Sequence, residues 1–548
     1  MTLMCVINTD NKSFSLSNSL YYQLNKYHKK AFFNAISAEV GVSYSTQFTE
    51  RKYWLNQGAR PYGNATENSV YYAPYTLPSY ENLAYADGKP FNIYSNLSIN
   101  GHKNLSSGWE HSYSLGVNYR HGDNFGKGRY GTAGQFSTIT SSGQSKNGMR
   151  DFNYRDNVYS THQYAFYLQD NISKRFKNHH LFKANLGLRY DLQNSAATIS
   201  PRVNTSYQFE KLTLRAGIGL TSKAPSLNQL YTGPRYLDFL IGDYRLPGYY
   251  SVAIMQTVVT PGSKAELSPS KSWKNEIGID YKLPFATVNL TGYYNKLYDG
   301  FTSMSEVKSM DKAKVEVDIN GTNVPTFSIV GSEKYYYLQN KIVNGYESTD
   351  KGVEFMAHFK KIKALNLVIS MNASYVETAS KKEDGLFPIS EPSIVDSNFR
   401  YGLYNDTESK ASMAMASFSF DYHLASAGLI IGLRTDHFLL DRKKSGTNDI
   451  YPYGYIDYNG NQFIIPEQNR KNPIYQNLFR DPSTEKLSGL YNKTLHNFHL
   501  RVSKDFLSRF RLSVYVSNVF NIKAYNENGY LYSNFTSTSF GTNLSYRF

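Results

Sequence analysis

The sequence predicts an all-β fold, a transmembrane antiparallel β-barrel of the outer-membrane type, and three observations carry that prediction. Apolar and polar residues alternate at period two over segment after segment of ~10 residues, the length a tilted strand needs to cross a bilayer. The connections alternate short and long, as the periplasmic turns and extracellular loops of such barrels do. Of 548 residues 41% are hydrophobic, yet the longest charge-free apolar stretches, such as residues 424–433, reach only about half the length of a membrane-crossing helix.

In chain order, strands are expected near residues 14–25, 31–46, 92–101, 110–120, 162–173 and 181–191. In the last of these Phe182, Ala184, Leu186, Leu188 and Tyr190 share one face, while Lys183, Asn185, Arg189 and Asp191 share the other. Next come segments near 200–209 and 211–221, where Leu212, Leu214, Ala216, Ile218 and Leu220 oppose Thr213, Arg215 and Thr221. The segment near 272–282 sets Trp273, Ile277, Ile279 and Tyr281 against Lys274, Glu276, Asp280 and Lys282. The rest lie near 286–297, 350–359, 363–376, 410–421, 428–437, 495–504, 510–520 and 538–548, giving about 17 strands of bilayer-crossing length. Short turns are expected near 26–30, 103–108, 174–180, 210, 282–285, 360–363, 423–427 and 505–509. Long loops fall near 47–91, 121–161, 222–271, 298–349, 377–409 and 438–494. The polar face carries charges throughout, which suits a wet lumen, whereas a soluble propeller or sandwich would turn an apolar face inward.

Composition narrows the function. Tyrosine is abundant, at 49 residues, and its amphipathic ring favours the membrane interface. Trp109 and Trp273 stand at expected strand ends, where membrane-girdle residues belong. The formal charge of +15 is dispersed in short clusters such as Lys360-Lys361 and Arg442-Lys443-Lys444. No basic stripe of the kind that binds nucleic acid is formed, so nucleic acid is not an expected partner. The single cysteine, Cys5, excludes a disulfide framework and a cysteine-rich metal site. No HExxH, GxSxG or Walker loop occurs, so no catalytic residue and no enzymatic activity are expected. His179-His180 and the pair His496 and His499 read as turn or strand residues rather than ligands, and neither metal nor cofactor is expected. The last segment places Phe540, Leu544, Tyr546 and Phe548 on one apolar face. It resembles the terminal strand by which the barrel assembly machinery recognises outer-membrane proteins.

Several motifs, in order, resemble the barrel of TonB-dependent outer-membrane receptors. Tyr167-Leu168-Gln169-Asp170 followed by Gly187-Leu188-Arg189-Tyr190-Asp191 is similar to the family's paired strands, and Ser200-Pro201-Arg202 opens the next strand as the family does. Leu214-Arg215-Ala216-Gly217 leads to Ala224-Pro225-Ser226-Leu227-Asn228-Gln229-Leu230-Tyr231, which resembles a family box. A second box is matched by Leu267-Ser268-Pro269-Ser270-Lys271-Ser272 with Asn275-Glu276-Ile277-Gly278, although Ser270 stands where an acid is usual. Ser517-Asn518-Val519-Phe520-Asn521 with Tyr525 resembles the penultimate strand.

The resemblance implies active transport: a large, scarce nutrient binds in the extracellular loops and inner wall, and the TonB system, driven by the proton gradient, moves an N-terminal plug to admit it. It also implies a plugged barrel of ~22 strands, of which about 17 are found. Residues 1–10 lack the basic and apolar regions of a secretory signal peptide. The expectation for residues 1–548 is therefore a partial barrel without signal peptide or plug, whose odd strand number leaves open edges. A passive porin and a non-functional remnant of a split receptor gene stay open as alternatives. Expected partners are outer-membrane lipid and lipopolysaccharide, the barrel assembly machinery, the TonB system through a plug not encoded here and, for a glycan ligand, a surface lipoprotein. The loop between the two boxes offers Tyr231, Arg235, Tyr236, Tyr244, Arg245, Tyr249 and Tyr250 as ligand contacts, suited to stacking and to pairing with an anionic group. Tyr71, Tyr72, Tyr75 and Tyr80 add more of the same. Haem-binding members place a histidine between the boxes; between Ser226 and Leu267 there is none. A ferric siderophore-like chelate is the first expectation and a glycan the second.

Overall fold

The computed structural model describes residues 5–24, 32–132, 137–138, 144–148, 150–157, 159–177, 180–383, 386–388, 399–404, 407–446, 450–480, 485–486, 494–506, 509–520, 522 and 538–546. The wall of the molecule is built by β1 (Val6–Gln23), β2 (Ala35–Asn56), β3 (Pro90–Asn104), β4 (Trp109–Asn124), β5 (Thr161–Arg175) and β6 (Leu181–Gln193). It continues with β7 (Ala196–Phe209), β8 (Leu212–Lys223), β9 (Ser270–Lys282), β10 (Ala286–Asp318), β11 (Thr326–Phe359) and β12 (Leu367–Lys382). The last five are β13 (Thr407–Leu424), β14 (Leu429–Gly446), β15 (Leu495–Phe506), β16 (Phe510–Ser517) and β17 (Ser539–Tyr546). Each overlaps one expected strand, and together with short outer strands they form one 20-stranded sheet. Successive wall strands pair antiparallel throughout. Among the described residues β1 pairs only with β2 and β17 only with β16.

The two faces of the wall meet different surroundings. Outward positions carry large apolar side chains left open on the surface, among them Phe166, Leu168, Leu188, Ile277 and Phe540. Inward positions carry Arg189, Arg202, Arg215, Glu276 and Asp280. Near the short turns the outward face ends in rings: Trp109 meets Phe182 edge-on at 5.9 Å, Phe285 stacks on Phe359 at 6.3 Å and Phe510 meets Tyr546 at 4.7 Å. Lys174 extends its ammonium over the Trp109 ring at 4.9 Å. Trp273 lies on the outward face toward the long-loop end of β9, and Phe540 is 83% exposed. Phe548 and His179 lie outside the described residues.

Tyrosine has a further place that alternation alone does not reveal. On the inner wall Tyr167 lies directly opposite Gly116, and Tyr293 directly opposite Gly352. A Cβ on either glycine would overlap the facing ring, so each tyrosine lies flat across the strand where its neighbour has no side chain.

The turns are tight where the backbone can take them. Glu210, at φ 49°, reverses β7 into β8, and Asn366, at φ 50°, reverses the chain before β12. That second turn is why β12 starts at Leu367 rather than near residue 363. The strands also overrun the expected boundaries on the loop side. β10 and β11 stay paired as far as Asp318 and Thr326, so most of the expected loop 298–349 is a two-stranded ribbon. It persists above the membrane because it is covered on both sides. Met310, Tyr335 and Tyr337 pack on Leu237, Phe239 and Val258, while Val307 packs on Tyr401, Leu403 and Ile456. Part of the expected loop 121–161 is also strand: Gly128–Gly131 pairs with Ser79–Gly88, which in turn pairs with the upper half of β2.

Candidate functional site

The inner wall and the loop assembly above it form the candidate site. Along β6 to β11 the inward positions converge on a recess of about 1010 Å³ lined by Arg189, Arg202, Arg215, Glu276, Asp280 and Glu354, among others. Each arginine is tethered. Arg189 bonds Asp191 at 2.8 Å, Arg202 donates to Gln169 Oε1 at 2.7 Å, and Arg215 reaches Asp280 at 3.0 Å, Thr291 at 3.1 Å and Glu276 at 3.3 Å. A charge tied to neighbours in this way keeps its remaining donors facing the lumen in a fixed orientation. The wall therefore presents a mixed-sign surface to the lumen.

Above it, a four-stranded sheet joins Gln144–Gly148, Arg235–Leu246, Tyr250–Thr260 and Ser69–Ala73 in that order. Its strands come from three different long loops. What holds them is a buried ion pair: Arg150 Nη2 donates to Asp238 Oδ1 at 2.9 Å, with side chains 2% and 0% exposed. Arg150 Nε donates to the Ala65 carbonyl at 3.0 Å, and the guanidinium lies 4.6 Å from the Tyr236 ring centre. Thr257 donates to Asp238 at 2.6 Å, and the Tyr71 hydroxyl sits 3.0 Å from Thr257 Oγ1. A Cβ at Gly63 would overlap the Asp238 carboxylate, so the first loop can close over the pair only with glycine there. Each charge is thus compensated, as burial demands.

The sequence-derived ligand candidates fall on and around this sheet. Tyr231 stacks on Tyr159 at 4.1 Å, and Arg235 donates to the Asn340 carbonyl of the ribbon at 3.0 Å. Tyr236 is the ring beneath Arg150. Tyr244 lies over Gly242. Arg245 binds Asp243 at 2.8 Å, donates to the Ala59 carbonyl at 3.1 Å and lies over the Tyr75 ring at 4.8 Å. Tyr75 donates to Asp243 at 2.7 Å. Tyr249 is 65% exposed in the turn between the two longest strands of the sheet, and Tyr250 follows it, half-buried. Partial burial pushes Asp243 up, but hydrogen bonds from Arg245 and Tyr75 overcome it and hold the carboxyl below its usual range. Burial and the facing carboxylate push the Tyr75 hydroxyl up. Tyr72 donates to the Pro325 carbonyl at 3.0 Å and meets Phe327 edge-on, tying the first loop to the ribbon tip; Tyr80 is buried.

Arg150, Asp238 and Thr257 were not expected to matter. Arg150 and Asp238 are 88 residues apart, and neither stands in a motif. Among the histidines, His180 Nδ1 lies 3.0 Å from the Tyr207 hydroxyl, and His496 pairs with His437 through Nδ1 at 2.7 Å on the outward face. His499 lies 3.2 Å from Asp436 on the inner wall. Among the described residues no cluster of three metal-binding side chains is found.

An antiparallel wall with apolar residues outside, charges inside and a loop assembly at one end defines a protein of the outer-membrane β-barrel class. The model of the TonB dependent receptor-like β-barrel family matches residues 7–519, and the chain belongs to that family. Its members are outer-membrane transporters of Gram-negative bacteria, not enzymes. A search of curated proteins finds no match. Among solved structures, the chain is similar to the siderophore receptor PirA from Acinetobacter baumannii, with 14% identity and a TM-score of 0.50 over 98% of this chain and 71% of that one. It is similar also to the outer membrane transporter YddB from Escherichia coli, with 12% identity and a TM-score of 0.49 over 99% and 67%. The ferric enterobactin receptor PfeA from Pseudomonas aeruginosa gives 14% identity and a TM-score of 0.46 over 98% and 70%. At these identities the likeness concerns the fold.

Proposed function

We propose that the chain serves TonB-energised uptake of a large, scarce nutrient across the outer membrane, with a ferric siderophore-like chelate as the favoured ligand. The observation that carries the reading is the union of a charged inner wall with a loop sheet assembled from three loops directly above it. A chelate of this kind is bulky, partly aromatic and anionic. Tyrosine rings and arginines held by neighbouring carboxylates suit it. Arg235, Tyr244, Tyr249 and Tyr250 are the proposed contacts, with Tyr231, Tyr236 and Arg245 holding the loop that presents them. Uptake would be driven through TonB, and the outer leaflet, the assembly machinery and the TonB system would be the partners. The test is growth of an iron-starved Gram-negative strain stripped of its own siderophore receptors. Ferric chelates should support growth only with this gene and a working TonB, and Tyr249→Ala with Tyr250→Ala should raise the chelate concentration needed about tenfold. Growth on an oligosaccharide, and none on any ferric chelate, would transfer the assignment to glycan.

A further inference from the structure

The outward face of β9, β10 and β11 is not a uniform apolar band. Between Ile277 and Tyr294 on one side and Val353 and Tyr375 on the other lies a recess of about 600 Å³ that opens away from the lumen. Gly292 forms its floor. Nothing fills the missing side chain: the nearest atoms to a Cβ there are Ile277 Cγ2 at 3.9 Å and the Gly352 carbonyl oxygen at 4.0 Å. Polarity changes at the upper end. Lys351, on the outward face of β11, bonds Glu377 at 2.9 Å and is still 52% exposed. One bond to a carboxylate leaves an ammonium two further donors.

The register extends this into a row. Lys351 lies opposite Tyr294 on β10 and opposite Glu377 on β12, and Glu377 lies opposite Ser412 on β13. Lys296, Lys410 and Arg442 occupy the same outward rim on their own strands: Lys296 opposite Trp273, Lys410 opposite Ala379 and Arg442 opposite Ser412. Lys271 stands one step higher and reaches Asp299 at 3.8 Å. At the height of Lys351, Lys296, Lys410 and Arg442 the outward acid is Glu377, while one step higher Asp299, Glu347 and Glu408 stand with Lys271 and Lys381, so cations outnumber acids in the lower part of this edge. The row runs level with Trp273 and Tyr294 and one step above Tyr375. From a strand rise of ~3.3 Å and a tilt of ~40° it sits roughly 20 Å above the Phe285 and Phe359 rings, at the far edge of a ~25 Å apolar band.

An apolar slot in a lipid-facing wall, capped at the loop side by cations, matches one kind of neighbour in charge and in depth. We propose that the recess holds an acyl chain of an outer-leaflet glycolipid whose phosphate is gripped by Lys351, Lys296 and Lys410. The headgroup supplies the anion that the row lacks, and the chain fills the space above Gly292. This rests on the outer-membrane barrel reading and adds to it a lipid, a place and a polarity.

The experiment uses the full chain in nanodiscs and counts bound lipid by native mass spectrometry as lipid A is titrated. Heat-resistant migration on gels serves as the check of a formed barrel. Lys351→Gln with Lys410→Gln should lower lipid A occupancy about tenfold and leave binding of dephosphorylated lipid A unchanged. Gly292→Leu, whose side chain projects into the slot, should lower both. Inorganic phosphate at millimolar concentration should not displace lipid A; displacement would show a surface anion site without an acyl slot and overturn the proposal. Equal lipid A occupancy in heat-resistant wild type and variants overturns the recess while leaving the receptor reading intact. A chain that never enters the bilayer overturns both.

Discussion

The wall and the loop assembly solve opposite solvation problems with the same element. In the loops the interior is protein: Ala253, Ile254, Met255, Asp238 and Thr257 are all 0% exposed. In the wall, Leu188 and Ile277 stay open because hydrocarbon completes their surroundings, and the polar residues turn inward to water. The loop assembly is thus a small water-soluble core standing on a wall whose apolar surface lies outside. A disturbance in one region should be felt there and not in the other, and the predictions that follow test that separation.

The largest effect is expected at the buried ion pair. Arg150→Met leaves Asp238 charged and unpaired and should cost the loop assembly about 3–5 kcal/mol, seen as rapid hydrogen exchange across Arg235–Thr260 with the wall unchanged. Adding Asp238→Leu should restore much of the protection. Coupled loss of wall stability would break the comparison. Next, Leu188→Arg, on the lipid face of β6, should cost about 2–4 kcal/mol in urea unfolding from vesicles, with loop exchange unaltered. Gly116→Ala forces the Tyr167 ring off the neighbouring strand and should cost about 1–3 kcal/mol in the same assay.

The smallest effect concerns acid. Because the folded-state pKa of Asp243 is lowered, its pair with Arg245 contributes fully above the ordinary carboxyl value of ~3.9. That contribution is lost as pH falls below it through the folded value. For so exposed a pair it amounts to less than about 1 kcal/mol. Exchange in Arg235–Leu246 measured from pH 5 to pH 2 should show the loss, and Asp243→Asn should abolish the dependence.

The separation also explains what could be read from the sequence. The wall was legible because each strand divides two solvents, so Leu186 and Leu188 must alternate with Lys183, Asn185 and Arg189. The loop assembly obeys no such rule. Its sheet is covered on both faces, by the ribbon through Leu237 and Phe239 and by the first loop around Asp238 and Thr257, so period two carries no contrast there. The ribbon was hidden for the same reason, since Met310 and Val307 are both covered. The loop proposed to contact ligand was picked out from motifs, but Arg150, which lies over Tyr236, stands in another loop. The tyrosines opposite Gly116 and Gly352 depend on register between strands, which composition does not encode.

The mixed parentage of the loop sheet has a consequence in time. Its strands from residues 69–73, 144–148 and 235–260 are separated by long stretches of wall, so closing them together is entropically slow until the wall has brought their ends near one another. The Arg150–Asp238 pair would then be among the last contacts to form. Protection of Asp238 from solvent would serve as a late clock of folding, starting only once the strands beneath it have been laid down.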